Sequence, residues 1–132
     1  MLKKYALTSD YIRFMCDSTL HRIVALRDFG NVKAYELGGY VEDESNLSHE
    51  GDCWIGENAK VFGHATVTGS ALVSGSARVY GGANVTDHAH VYAGAEIFGG
   101  ARIVGNLMIG GNAVVCSADG YKKGEVDERK GL

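Results

Sequence analysis

An apolar β-branched residue returns at every sixth position over half of the chain, and this period constrains the fold more than any other feature. The series runs without interruption from Ile55 to Val115, and a small residue, usually alanine, stands two positions before nearly every member. A period of six fits neither the 3.6-residue repeat of a helix nor the alternation of long strands. It fits a solenoid whose chain turns a corner after each short strand. The sequence therefore predicts an all-β solenoid.

The direction of the side chains in each hexad follows from their alternation along a strand. Ala59 and Val61 should point inward, and Phe62 should point outward. The two remaining residues of a hexad turn the corner. The second of them is often Gly, Asn, Asp or His, the residue types that best tolerate a left-handed backbone. We therefore interpret His64 and His88 as corner residues.

Composition and charge favour one strand-rich domain and limit its partners. The 132 residues include 19 glycines, which suit tight corners, and no proline, so every backbone N–H can pair with a neighbouring strand. The net charge of -3 and the pI of about 5.9 argue against nucleic acid as a partner. No segment has the pattern of a signal peptide or a membrane span, so we expect a cytoplasmic protein. Cys16, Cys53 and Cys116 share no metal-ligand spacing and are expected to be free thiols.

The chain divides into three regions. Residues 1–38 do not repeat, and Tyr11 to Cys16 with Leu20 to Arg27 predict a β-hairpin that caps the open end of the solenoid. Residues 39–116 form the solenoid. Residues 117–132 have mixed charge and few apolar side chains, which predicts a short cap or a flexible tail.

Residues 39–50 are expected to form a degenerate first coil. Val41 and Leu47 stand twelve and six positions before Cys53, so the six-residue count places them in the alanine column. The other side chains of this stretch are mainly acidic and polar.

The hexads resemble those of the left-handed parallel β-helix, the hexapeptide-repeat fold. In that fold an aliphatic residue is followed four positions later by a small one, as Val61 is by Ala65 and Val67 is by Ala71. Here glycine comes two positions after the aliphatic residue, one later than usual. This variant and the stretch at 37–48 resemble the YdcK-like proteins of bacteria and their phages, a group placed provisionally among the transferases. The resemblance implies about four coils of three hexads each, packed side by side in a homotrimer.

Sorting the outward residues by position modulo eighteen gives three different faces. Only one of them, rich in Thr, Asn and Arg, suits water. Rows of large apolar side chains on a surface usually mark an interface, so we expect the other two faces to make the contacts between subunits. The alternative is that the N-terminal hairpin or the tail covers one of them. The candidate interface residues are Trp54, Leu72, His90, Tyr92 and Met108 on the first apolar face, and Phe62, Tyr80 and Phe98 on the second.

Many hexapeptide-repeat proteins are acyltransferases that bind acyl-coenzyme A between subunits and use a histidine as general base. His88 or His90, oriented by Asp87, could take that role. However, the hexads run from 51 to 116 without the inserted loop that such enzymes use to bind the acceptor. The three histidines His64, His88 and His90 do not have the spacing of a zinc site, so we expect no metal and no bound cofactor.

Three functional hypotheses remain from the sequence. The first is a trimeric, non-catalytic β-helix that binds a macromolecule or a small ligand through its faces or in the clefts between subunits. The second is an acyltransferase that uses acyl-coenzyme A and a histidine base. The third, which follows from the phage proteins it resembles, is an inhibitor that blocks a host defence factor or sequesters its signal molecule.

Overall fold

The computed structural model describes residues 3–14 and 18–116, together with the backbone of residues 120–121. This part of the chain is all-β and contains one 3-10 turn and no α-helix. It contains no helix with the length and apolar character needed to cross a membrane. Cys16 and, apart from the backbone at 120–121, the expected cap or tail at 117–132 lie outside the described residues.

Three long strands precede a series of very short ones. Strands β1 (Tyr5–Phe14) and β2 (Ser18–Ala25) form an antiparallel hairpin, β3 is Leu37–Val41, and the 3-10 turn is Glu44–Asn46. Twelve two-residue strands follow: β4 (Trp54–Ile55), β5 (Lys60–Val61), β6 (Thr66–Val67), β7 (Leu72–Val73), β8 (Arg78–Val79), β9 (Asn84–Val85), β10 (His90–Val91), β11 (Glu96–Ile97), β12 (Arg102–Ile103), β13 (Met108–Ile109), β14 (Val114–Val115) and β15 (Gly120–Tyr121).

The short strands build three parallel sheets around one axis. Each strand pairs with the strand three further along the chain, so that Trp54 pairs with Leu72 and Leu72 pairs with His90, eighteen residues per coil. The sheets are β4-β7-β10-β13, β6-β9-β12-β15, and a seven-stranded sheet in which β3, β5, β8, β11 and β14 are extended by the hairpin. The chain is thus a parallel β-solenoid of about four coils, as its repeat predicts.

The inward columns form the core. Every alanine-column and valine-column residue from Cys53 to Val115 is at most 3% exposed. The coils are joined by backbone hydrogen bonds such as that from the N–H of Lys60 to the carbonyl of Ala77, at 2.9 Å. The six-residue repeat therefore places the apolar side chains in the core and also brings the backbone N–H and C=O groups of successive coils into hydrogen-bonding positions.

The left-handed residue of each corner is the first of the two corner residues. Positive φ occurs at most of these glycines, for example Gly63 and Gly69, and also at Glu57, Asp87 and Ala93. His64 and His88 occupy the second corner position and do not have positive φ. The expectation that this second column tolerates left-handed backbone was therefore wrong, and backbone conformation does not explain the two histidines.

The first coil contains two extra residues. Val41 pairs with Val61 and Leu47 with Val67, twenty positions apart, so both lie under the valine column. The prediction that they belong to the alanine column was wrong because a simple count of six assumes equal corners. From Trp54 onward the offset is eighteen, which places the two additional residues in the corner between Leu47 and Trp54.

This enlarged corner is where the first strand attaches. The Tyr5 hydroxyl donates to the carbonyls of Leu47 (2.6 Å) and Glu44 (2.9 Å), and the Tyr5 ring stacks on His49 at 4.3 Å. The Lys4 ammonium donates to the carbonyls of Cys53 (2.7 Å) and Gly51 (3.2 Å). The strand β1 therefore begins six residues before the predicted hairpin strand, since Lys4 and Tyr5 are held by solenoid carbonyls rather than by an apolar pattern.

Candidate functional site

The lowest rungs of both apolar faces are covered by the chain itself. Trp54 is 3% exposed, and its ring meets that of Phe29 edge-on at 5.3 Å. Phe62 is 5% exposed and meets Phe14 edge-on at 5.6 Å. The alternative in which N-terminal residues cover a face is therefore correct for these two positions. In this conformation neither Trp54 nor Phe62 offers area to a second subunit.

Sequence reasoning missed Phe14 and Phe29 as covering residues. Both belong to the non-repeating region, where no period assigns a direction to a side chain. The sequence did hold one signal. The region expected to cap the solenoid contains two aromatic residues without a predicted contact, and the solenoid has two faces with exposed apolar side chains.

The upper part of the first apolar face is open among the described residues. We call it the His90 face, and it comprises Leu72, Ser74, His90, Tyr92 and Met108. Met108 is 49% exposed and the other four are half-buried. The Tyr92 ring lies across Gly110, where an added Cβ would come within 2.3 Å of it. The face therefore combines an exposed thioether, an aromatic ring and two polar groups.

The second apolar face carries the predicted aromatic ladder. The rings of Phe62 and Tyr80 stack at 4.9 Å, and those of Tyr80 and Phe98 at 5.2 Å, each pair within 6° of parallel. The Tyr80 hydroxyl donates to Glu96. Burial, this hydrogen bond and the negative charge of Glu96 raise the pKa of Tyr80 to about 12. The stacked rings of Phe62, Tyr80 and Phe98 therefore cover much of one another's apolar surface.

Of the three candidate catalytic residues, His90 is the one that lies on the first face. His90 Nε2 lies 3.1 Å from Ser74 Oγ, and its ring lies 4.9 Å from that of Tyr92. Burial lowers the pKa of His90, so the ring is neutral at pH 7. His88 is exposed at its corner.

Asp87, the third candidate, is a corner residue that supports the next coil. Its backbone is left-handed, with φ of 61°, and its Oδ2 accepts from the N–H of Gly105 at 2.9 Å. Glu57 does the same with the N–H of Gly75. Asp87 therefore orients neither His88 nor His90, and the three residues do not form the assembled catalytic set that was considered. Nor do the described residues contain a group of three or more His, Cys, Asp or Glu side chains able to hold a metal ion.

The His90 environment predicts a pH effect on stability. In the unfolded chain His90 takes up a proton near pH 6.5, whereas the folded protein resists protonation until lower pH. The unfolded state thus binds more protons between these two values, so stability should fall as the pH drops through this window. Urea unfolding at pH 7.5 and at pH 5 should show a smaller pH-dependent loss in His90→Gln than in the parent. An equal loss in His64→Gln and His90→Gln would contradict this assignment.

Comparison with known proteins shows similarity over part of the chain. No protein-family model matches the chain. Over 72 residues it is 38% identical to a protein of Escherichia coli (strain K12) named "Uncharacterized acetyltransferase YdcK". The match covers 48% of this chain and 22% of the E. coli protein, so the chain spans about a fifth of its relative. The chain is therefore a parallel β-solenoid that, over part of its length, is similar in sequence to this E. coli protein.

Proposed function

We propose that the chain is a non-catalytic binding module that associates side by side with copies of itself, as a trimer, through the His90 face. The observation that carries this proposal is the unequal covering of the first apolar face. Its lowest residue, Trp54, is buried under Phe29, whereas Met108 on the same sheet is 49% exposed. A row of apolar and polar side chains left open in this way is typical of a surface that meets another molecule.

The described residues offer little for catalysis within one chain. A general base needs a partner that fixes its orientation, and among the described residues His90 has the hydroxyl of Ser74 in this position. Asp87 is committed to the backbone of Gly105. A small ligand or a macromolecule that binds in a cleft between subunits would contact the same face. Such binding does not require an oriented general base.

Met108→Asp tests the association. A carboxylate at this position would have to be desolvated in the interface, so we expect the parent to sediment as a trimer at micromolar concentration and Met108→Asp as a monomer. Arg102→Glu is the matched control, because Arg102 is the exposed outward residue of the neighbouring strand on the watery face. A monomeric parent, or equal dissociation of both variants, would refute the proposal.

A second candidate function is acyl transfer from acyl-coenzyme A. It is favoured by the name of the E. coli relative and by the neutral, half-buried imidazole of His90, which could accept a proton. Calorimetric titration with acetyl-coenzyme A distinguishes the two functions. Tight binding together with turnover that is lost in His90→Ala but retained in His64→Ala would establish the enzyme and exclude the non-catalytic module.

A further inference from the structure

A cleft of about 320 Å³ adjoins the His90 face, with which it shares Leu72. One wall is the loop at 30–32, which follows the N-terminal hairpin. The opposite wall is a column of corner residues, Asp52, Ser70 and His88. These three occupy the same hexad position in successive coils, so they lie one above another at the strand spacing of about 4.8 Å.

The loop wall is held in place by the core. Phe29 is 7% exposed, packs on Trp54 and pairs with Val32 through two backbone hydrogen bonds of 3.0 and 2.7 Å. Gly30 lies against Asp52, where an added Cβ would approach the Asp52 Cβ to 3.3 Å. Val32, Leu72 and the edge of Trp54 give the cleft an apolar lining. The cleft is therefore a built feature, shaped by the contact between the cap and the first coil.

The polar side chains of the cleft are not hydrogen-bonded within the described part of the chain. The side chains of Asn31, Asp52, Ser70 and His88 make no hydrogen bond or ion pair there, whereas the neighbouring corner carboxylates Glu57 and Asp87 are both bonded to backbone N–H groups. A concave apolar surface with a few convergent, uncommitted polar groups is the usual form of a small-molecule site.

The charge of the cleft selects the class of ligand. Among the described residues that line it, Asp52 is the only carboxylate, and none is Lys or Arg. The buried ammonium group of Lys4 interacts electrostatically with Asp52, but its hydrogen bonds go to the carbonyls on either side of Asp52. An anion such as a phosphate would face the carboxylate of Asp52, whereas an ammonium group would form an ion pair with it.

We propose that this cleft binds a small primary amine, with its ammonium group on Asp52, hydrogen bonds from the ligand to Ser70 or Asn31, and its apolar part on Leu72 and Val32. The volume, about ten times that of a water molecule in the liquid, suits a ligand of one ring. All the lining residues come from one chain, and among them Leu72 also belongs to the His90 face.

Trp54, the only tryptophan of the chain, lies under the cleft and reports on its occupancy. We expect benzylamine to change the Trp54 fluorescence with a millimolar dissociation constant, within the range open to a ligand of this size. Benzyl alcohol, which has the same ring without the charge, should bind at least tenfold more weakly. Asp52→Asn should weaken benzylamine binding about tenfold, whereas His64→Ala, a corner residue outside the cleft, should not change it.

The possible outcomes separate this proposal from the others. No saturable fluorescence change up to about 10 mM benzylamine, or equal binding by the parent and Asp52→Asn, would overturn it. Equal affinity for benzylamine and benzyl alcohol would also overturn it, since the charge pair would then contribute nothing. Sedimentation of Asp52→Asn should match the parent, so that failure of the amine site is distinguishable from failure of the association.

Discussion

Gly51→Ala should destabilise the protein by about 3 to 5 kcal/mol, whereas Gly105→Ala should cost only about 1 to 2 kcal/mol. The two glycines have nearly the same left-handed backbone, with φ of 72° and 68°. They differ in what a methyl group would meet. At Gly51 an added Cβ would lie 2.3 Å from the backbone carbonyl oxygen of Gly69, and at Gly105 it would meet nothing within 4 Å.

Comparing Gly51→Ala with Gly105→Ala separates the cost of a left-handed backbone at alanine from the cost of a steric clash with the next coil. Both variants pay for placing a Cβ in the left-handed region, and the natural alanine at position 93, with φ of 55°, shows that a corner can bear this cost. Only Gly51→Ala must also force two coils apart at the backbone. Urea denaturation of both variants, compared at the same slope, measures the difference. Equal losses of stability would show that the corner at 51 relaxes without disturbing the stack.

Tyr5→Ala should cost about 3 to 5 kcal/mol, because it removes a fully buried ring from the junction between the hairpin and the first coil. Tyr5→Phe keeps the ring and removes the hydroxyl that donates to the carbonyls of Glu44 and Leu47. Leaving these groups without their donor should cost about 1 to 3 kcal/mol. Tyr11→Phe is the control on the same strand, since Tyr11 is 56% exposed. Thermal or urea unfolding gives the three values.

Tyr5 should also contribute to alkaline unfolding. Burial and the nearby negative charge of Glu44 raise the pKa of Tyr5 well above its usual value of 10. Above pH 10 the unfolded chain therefore loses a proton that the folded chain keeps, and stability falls as the pH rises. Tyr5→Phe should show a shallower decline than the parent between pH 9.5 and 11, relative to its own stability at pH 8. An unchanged decline would mean that the hydroxyl ionises freely in the folded protein.

The repeat could be predicted from the sequence because each hexad forms the same local structure, a short strand with two inward side chains followed by a corner. Ile55 to Val115 recur without a break, so alternation alone assigned their side chains to the core, and the structure confirms it at every position. The same reasoning failed at Val41 and Leu47, where two additional residues in one corner shift the register. A period carries no information about a position where it is interrupted.

The candidate site was less predictable, since it depends on contacts between regions of unlike sequence. The sequence sorted Trp54 and Met108 onto one face and treated them alike. Only the packing of Phe29 on Trp54 separates them, leaving one buried and the other open. Similarly, Asp87 stands next to His88 in the chain, but its carboxylate bonds to the coil above.

By itself the sequence determined the stack: a period of six places one small and one β-branched residue inward per strand, and burial of those side chains permits only a solenoid. The tertiary structure decided which of its surfaces remain available. Phe14, Phe29 and Tyr5 reach solenoid residues tens of positions away, and no local pattern encodes such contacts. They bury the lower residues of both apolar faces and leave the His90 face open above Trp54, because each aromatic ring loses apolar surface to water only where it contacts the solenoid.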